Sequence, residues 1–211
     1  MVTLPHTSTK AKSSARQRLI VAASALFYQQ GIRAVGVDAV AKESGVSKTS
    51  LYRAFASKDE LVVAVMTEED RHYWTWWEEL QERNGDDQRE LLISVLSGTA
   101  RRIGQPGYRG CPFLNFSTEF PDHSHPGRPI ARAHKQEIRR RIQNILIKLG
   151  TYEPDLVAGQ IVLLIEGAYV TGTMTNSFNL ERELVTAATR LIAEATPYVT
   201  SPVDQGTRPT R

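Results

Sequence analysis

The sequence predicts an all-α protein, with an N-terminal three-helix helix-turn-helix domain followed by a larger helical body. Three observations carry this. Apolar residues recur at helical spacing along most of the chain, and no segment shows the two-residue alternation of a strand. Breakers such as Gly31, Gly45, Gly85, Gly104 and Gly150 punctuate these stretches. Near the N-terminus, VDAVAKESGVSKTSLYRAFASK (residues 37–58) reads as helix, glycine turn, helix, and the start of a third helix.

The elements follow in order. Residues 15–30 place Leu19, Ile20, Ala23, Leu26 and Phe27 on one stripe, and Gly31 ends that helix. Val37, Val40 and Ala41 form the inner face of a short helix that stops at Ser44-Gly45. Gly45 supplies the positive φ of a tight turn, Val46 fills the corner, and Ser47 caps the next helix. That helix turns Leu51 and Phe55 inward and Lys48, Thr49, Ser50, Tyr52 and Arg53 outward. Ser57-Lys58-Asp59-Glu60 is a capping box in which Glu60 reaches back to the first amide of a long helix ending near residue 83.

Asn84-Gly85-Asp86 breaks the long helix, and Asp87 caps another that runs to about residue 103. Gly104, Pro106, Gly107 and Gly110 form a loop before a short helix at 112–120, and PDHSHPGRP forms the next loop. Residues 128–149 are helical and basic on one face through Lys135, Arg139, Arg140 and Arg141. Pro154-Asp155 opens a helix reaching about residue 176, and the last helix spans 180–195. The expected organisation is a flexible basic arm at 1–13, the helix-turn-helix domain at 14–60, a larger helical domain at 61–199, and a disordered tail at 200–211.

Charge is unevenly divided. The whole chain carries +3, yet through Leu61 nine Lys and Arg face four acids, so the remainder is slightly acidic. A basic head on an acidic body is the charge footprint of nucleic-acid binding at one end. Hydroxyls, an aromatic hydroxyl and two cations on one short helix suit a major groove flanked by phosphates. One cysteine excludes an internal disulfide, and the chain opens on polar residues instead of a signal sequence. The most apolar run, residues 161–170, is short and broken by Glu166, too short to span a bilayer. These features point to the cytoplasm, with no membrane partner.

The stretch ALFYQQGIRAVGVDAVAKESGVSKTSLYRAFASKDEL resembles the DNA-binding domain of the tetracycline-repressor (TetR) family of bacterial transcription regulators. The resemblance covers about the first quarter of the chain. It implies a homodimer that binds a palindromic double-stranded DNA operator and releases it on binding a small molecule. It also implies that the last two helices (about 154–176 and 180–196) form a four-helix bundle with those of a second copy. DNA contacts are then expected from Ser47, Lys48, Thr49, Ser50, Tyr52, Arg53 and Lys58, with Gly36 and Val37 at the start of the second helix. Two positions depart from the family pattern. Gly36 stands where a capping Ser or Thr is usual, and Ala54 where His or Tyr precedes the Phe.

The resemblance also implies a ligand pocket in the body, and aromatic walls would suit an apolar or aromatic effector. Candidates are Trp74 and Trp77, which share a helix face, with Phe113, Phe116, Tyr169, Thr173 and Met174. Glu166, an acid within an apolar run, needs a partner; pairing with Arg or His across the subunit interface is expected. Leu156, Val157, Ile161, Leu164, Ile165 and Val170 exceed what one core face needs, and Gly159, Gly167 and Gly172 would admit a partner helix. Cys111 before Pro112 sits at a helix start, where a thiol can be acidified. The alternatives are therefore a thiol-responsive regulator, a metal-responsive one using His123 and His125, or a hydrolase built on Cys111, His123 and Asp122. The histidine spacing matches no strong metal motif, and no nucleophile turn or phosphate loop occurs. The expectation is no enzyme, metal or cofactor.

Overall fold

Side-chain caps set where the helices of the head begin. In this computed structural model, which describes residues 14–175 and 179–196, Ser14 accepts from the Gln17 amide and opens α1 (Ala15–Gln30). The arm at 1–13 and the tail at 200–211 lie outside the described residues. Helix α2 (Val37–Ser44) starts at Gly36 with no side-chain cap, and ends at Gly45 with φ +62°. Ser47 accepts from the Ser50 amide to open α3 (Lys48–Ala54). Ser57 does the same for α4 (Lys58–Asn84) through the Glu60 amide at 3.1 Å. Glu60 reaches back one residue further than expected, to the Ala56 amide. The head closes around Leu19, Ala23, Val40, Leu51, Phe55 and Leu61, all essentially removed from solvent.

The body adds α5 (Gln88–Ile103), α6 (Pro112–Glu119), α7 (Arg128–Lys148), α8 (Pro154–Met174) and α9 (Leu180–Glu194). Among the described residues every regular element is helical. Helices α7 and α8 pack along each other, while α5 lies against α4, α7, α8 and α9. Trp77, Leu92, Leu96, Ile138, Ile142, Leu146 and Ile161 form its dry centre.

By length and composition α8 could cross a membrane. Here it packs on α5, α7 and α9, and buries Val157, Ala158, Ile161 and Ile165 inside its own chain. Its glycines are used differently from the sequence expectation. A Cβ at Gly172 would collide with Ile103 of α5, and one at Gly159 would touch the Arg139 guanidinium. Only at Gly167 is the added space open. What α8 leaves exposed is a stripe of Leu156, Leu163, Val170 and Met174, 45–78% accessible and spaced by sevens and a four. Leu163 was not among the residues the sequence singled out for that role.

Trp77 is 1% exposed and packs against Tyr73 and Trp74. Trp77→Ala should therefore lower the unfolding free energy by about 3–5 kcal/mol in a denaturant titration. A loss below about 1 kcal/mol would show that the ring is not part of the core.

Candidate nucleic-acid interface and effector region

Helix α3 is a platform with one anchored side. Leu51 and Phe55 are 1% exposed, and the Arg16 guanidinium covers the Phe55 ring at 4.9 Å. Ser47, Lys48, Thr49, Tyr52 and Arg53 are exposed, and Ser50 is half-buried. The expected outward face is thus assembled. Ser47 donates to the Ser50 hydroxyl at 2.9 Å, so the two hydroxyls partly satisfy each other. Lys48 reaches Asp38 of α2 at 2.8 Å, and this hydrogen bond raises its pKa. Lys58 donates to the Arg33 carbonyl at 3.4 Å, and partial burial lowers its pKa. Gly36 is exposed, and the first amides of α2 after it lack intrahelical acceptors, which suits an anion.

The body grips this head through α6. Glu119, at its C-terminal end, accepts from the Ile32 amide at 3.0 Å and the Arg33 amide at 2.8 Å. Gly31, at φ +90°, turns the chain so that the next two amides converge on one carboxylate. Just before the N-terminal end of α6, the Tyr28 hydroxyl donates to the Gly110 carbonyl at 3.1 Å and accepts from the Arg109 amide at 2.8 Å. Burial raises the Tyr28 pKa, which keeps the phenol a donor. Between these bolts lies a half-open cleft of about 40 Å³ enterable space, bounded by α1, α4 and α6. Sequence reasoning missed Tyr28 and Glu119. Nothing local marks them, because their partners lie more than eighty residues away.

Of the effector candidates, the cleft brings together only Phe113 and Phe116. Trp74 and Trp77 sit elsewhere. Trp74 donates to Asp70 at 2.8 Å, and both indoles carry the Arg141 guanidinium, centred 4.3 Å and 5.8 Å from their rings. Tyr169 is buried, with its pKa pushed up, and its ring faces the Lys135 ammonium at 5.2 Å. Thr173 and Met174 are exposed near the end of α8, with Thr173 donating to the Val170 carbonyl.

Glu166 does have a partner, but within the chain: the Lys135 ammonium lies 2.6 Å away. That ammonium also stands 3.4 Å from the buried Cys111 sulfur. The groups proposed for metal or hydrolase chemistry point to separate neighbours. His123 meets Arg128, Asp122 accepts from Ser124, and His125 accepts from the Gly127 amide between Phe116 and Phe120. Among the described residues no three His, Cys, Asp or Glu side chains converge on a metal-sized point.

The fold sets a helix-turn-helix head with an exposed α3 face on a larger helical body. Comparison with known proteins agrees. Residues 19–65 match the family described as "Bacterial regulatory proteins, tetR family". The chain is 35% identical over 119 residues to the Escherichia coli HTH-type transcriptional repressor BdcR. That match covers 56% of this chain and 58% of the relative. It spans less than two thirds of the curated relatives it matches first, 23% and 58% of their lengths. Across solved structures the likeness runs nearly full length. The Streptomyces coelicolor TetR-family regulator SCO4454 superposes with a TM-score of 0.82 at 27% identity, covering 87% of this chain and 96% of that one. A TetR-type regulator from Streptomyces avermitilis, sav143, gives 0.75 at 31% identity, covering 87% and 98%. This chain belongs to the TetR family of transcription regulators.

The polar centre of the body gives stability a pH dependence. His134 is nearly fully buried, stacked on Phe113 at 3.8 Å, and its Nδ1 lies 2.7 Å from Asp70. Burial outweighs the Asp70 carboxylate and holds the imidazole pKa down at about 4. The unfolded chain takes up a proton near pH 6.5 that the native ring refuses. Stability is therefore complete above pH 6.5 and lost as pH falls toward 4. By pH 5 this one group should cost about 2 kcal/mol, measurable as a difference in denaturant midpoints between pH 7 and pH 5. A ring that titrates near 6.5 by NMR in the native protein would contradict it.

Proposed function

We propose that the protein is a dimeric, ligand-responsive repressor that binds a palindromic operator in the cytoplasm and leaves it when a small molecule binds. The observation that carries this is the outward face of α3. Thr49, Tyr52, Arg53 and Lys48 project from a helix whose opposite side is locked into the head. Tyr52 is assigned to a phosphate and Arg53 or Lys48 to a guanine edge. Lys58 and the Gly36–Val37 amides flank the same surface and are assigned to phosphate. Lys48 must exchange Asp38 for DNA, so part of its contribution is spent in the free protein. Repression is favoured by the likeness to the E. coli repressor, since a dimer seated on a palindrome excludes other proteins from that duplex.

Selection of bound duplexes from a random pool at near-physiological salt should recover a palindrome with half-sites about one helical turn apart. On that operator, Tyr52→Phe should weaken binding to all sequences, whereas Arg53→Ala should cost about 1–3 kcal/mol and relax specificity at one position. Undiminished affinity in both variants would remove α3 from the interface.

The exposed α8 stripe is assigned to a second copy of the chain. Four apolar side chains in a row, with Gly167 open beside them, are more than a solvated helix face explains. Leu163→Glu should convert the dimer to monomer in sedimentation experiments and lower operator affinity at least tenfold, since both half-sites must then be found separately. A variant that sediments as a dimer would place the interface elsewhere.

A further inference from the structure

We propose that the cleft between α1, α4 and α6 is the effector site, that it takes a small apolar amine, and that Glu119 reads its occupancy. This rests on the ligand-responsive reading above and supplies its ligand class. The walls are hydrocarbon: Phe27, Ile32, Val65, Met66, Phe113 and Phe116. The charged groups lining the cleft are two carboxylates, Glu69 of α4 and Glu119 of α6, and no Lys, Arg or His is among its lining residues. An apolar cleft whose only charges are negative accepts a cation with a short hydrocarbon tail. It rejects carboxylates and phosphates, which would be desolvated against like charge. The enterable space, about 40 Å³, suits a tail of a few carbons, and the open side leaves room for a longer one.

Both carboxylates are already engaged, and their partners belong to the head. Glu69 accepts from Ser24 of α1 at 2.5 Å. Glu119 accepts from the Ile32 and Arg33 amides in the loop between α1 and α2. All three donors are neutral. An ammonium donates charge-assisted hydrogen bonds to the same oxygens, which are stronger than those from neutral donors. A bound amine therefore competes for the acceptors that hold the head to the body. When Glu119 turns to the amine, the loop at 31–36 loses its two amide bonds just ahead of the Gly36 start of α2. The loop is then held by Lys58 on the Arg33 carbonyl, by Arg33 over the Phe120 ring and by the buried Ile32 and Val35 side chains. Ligand binding is thus converted directly into freedom at the base of the DNA-binding surface.

The test uses the intact protein, isobutylamine as probe and isobutanol as its neutral counterpart, with ammonium chloride matching ionic strength. The readout is the ¹H–¹⁵N positions of the Ile32 and Arg33 amides. The amine should shift both saturably, with an apparent affinity about tenfold or more above that of the alcohol, and Glu119→Gln should weaken that response by about tenfold. Equal responses to amine and alcohol, or an amine response that Glu119→Gln leaves within about twofold, would overturn the site. The first comparison needs no variant, so it stands even if Glu119→Gln unfolds the head. Operator binding by the ligand-free protein is measured in parallel. Tight operator binding with silent Ile32 and Arg33 amides refutes this site and leaves the regulator reading intact. Saturable amine shifts that do not lower operator affinity refute the effector role, and absence of any sequence-specific DNA binding refutes the regulator reading itself.

Discussion

The uninterrupted run of α4 from Lys58 to Asn84 is the constraint on which the rest of the molecule depends. Its first three turns bury Leu61, Val62, Val65 and Met66 against a head whose own core includes Leu19 and Phe55. Its later turns bury Tyr73, Trp77 and Leu80 in the body. At 1.5 Å per residue this is a rod of about 40 Å, with no glycine or proline to bend it between the capping Ser57 and the terminating Gly85. Head and body therefore share one apolar seam. A rotation of the body about α4 is felt at Ser57, three residues beyond the end of α3.

A second link, α6, differs in kind. It is two turns long, and polar contacts near both ends tie it to α1 and the loop that follows. The same short helix faces the centre of the body. Cys111 at its N-cap lies against Lys135, and Phe113 in its first turn stacks on His134. Lys135 in turn is held by Glu166. A half-buried ion pair of this sort adds little net stability once desolvation is counted, yet it fixes where α7 and α8 sit relative to α6. The polar groups of the body thus specify position more than they supply cohesion, which comes from residues such as Trp77, Ile142 and Leu146.

Nearly all of the fold was legible in the sequence because its signals are local. Caps at Ser47, Ser57 and Asp87, stops at Gly31, Gly45 and Gly85, and helical apolar spacing each act within a few residues. The ends of α1, α2 and α5 fall where those signals put them. The outward face of α3 was legible for the same reason: burying Leu51 and Phe55 leaves only one side for Lys48, Thr49 and Tyr52. The cleft between α1, α4 and α6 was not. Which aromatic lines a cleft and which fills a core depends on how distant helices meet, and helical spacing is the same for both. Trp74 and Trp77 were pocket candidates by spacing; they lie away from the cleft between α1, α4 and α6, with Trp74 bonded to Asp70 and both rings beside Arg141. Glu119 has no distinguishing neighbour in sequence, and its role follows only from Gly31, Ile32 and Arg33 arriving opposite it.

The two links join the head to the body by different kinds of contact. Separating the head from α4 would expose a continuous apolar seam that includes Leu61, Val62, Val65 and Met66. The α1–α2 loop meets α6 partly through two amides and a carboxylate, groups that water or a competing donor can satisfy at small net cost, while Ile32 is buried beside them. Apolar burial holds the head together, and exchangeable hydrogen bonds help fix how it meets α6. Replacing the Glu119 contacts with an apolar pair would leave this junction without its two exchangeable amide bonds.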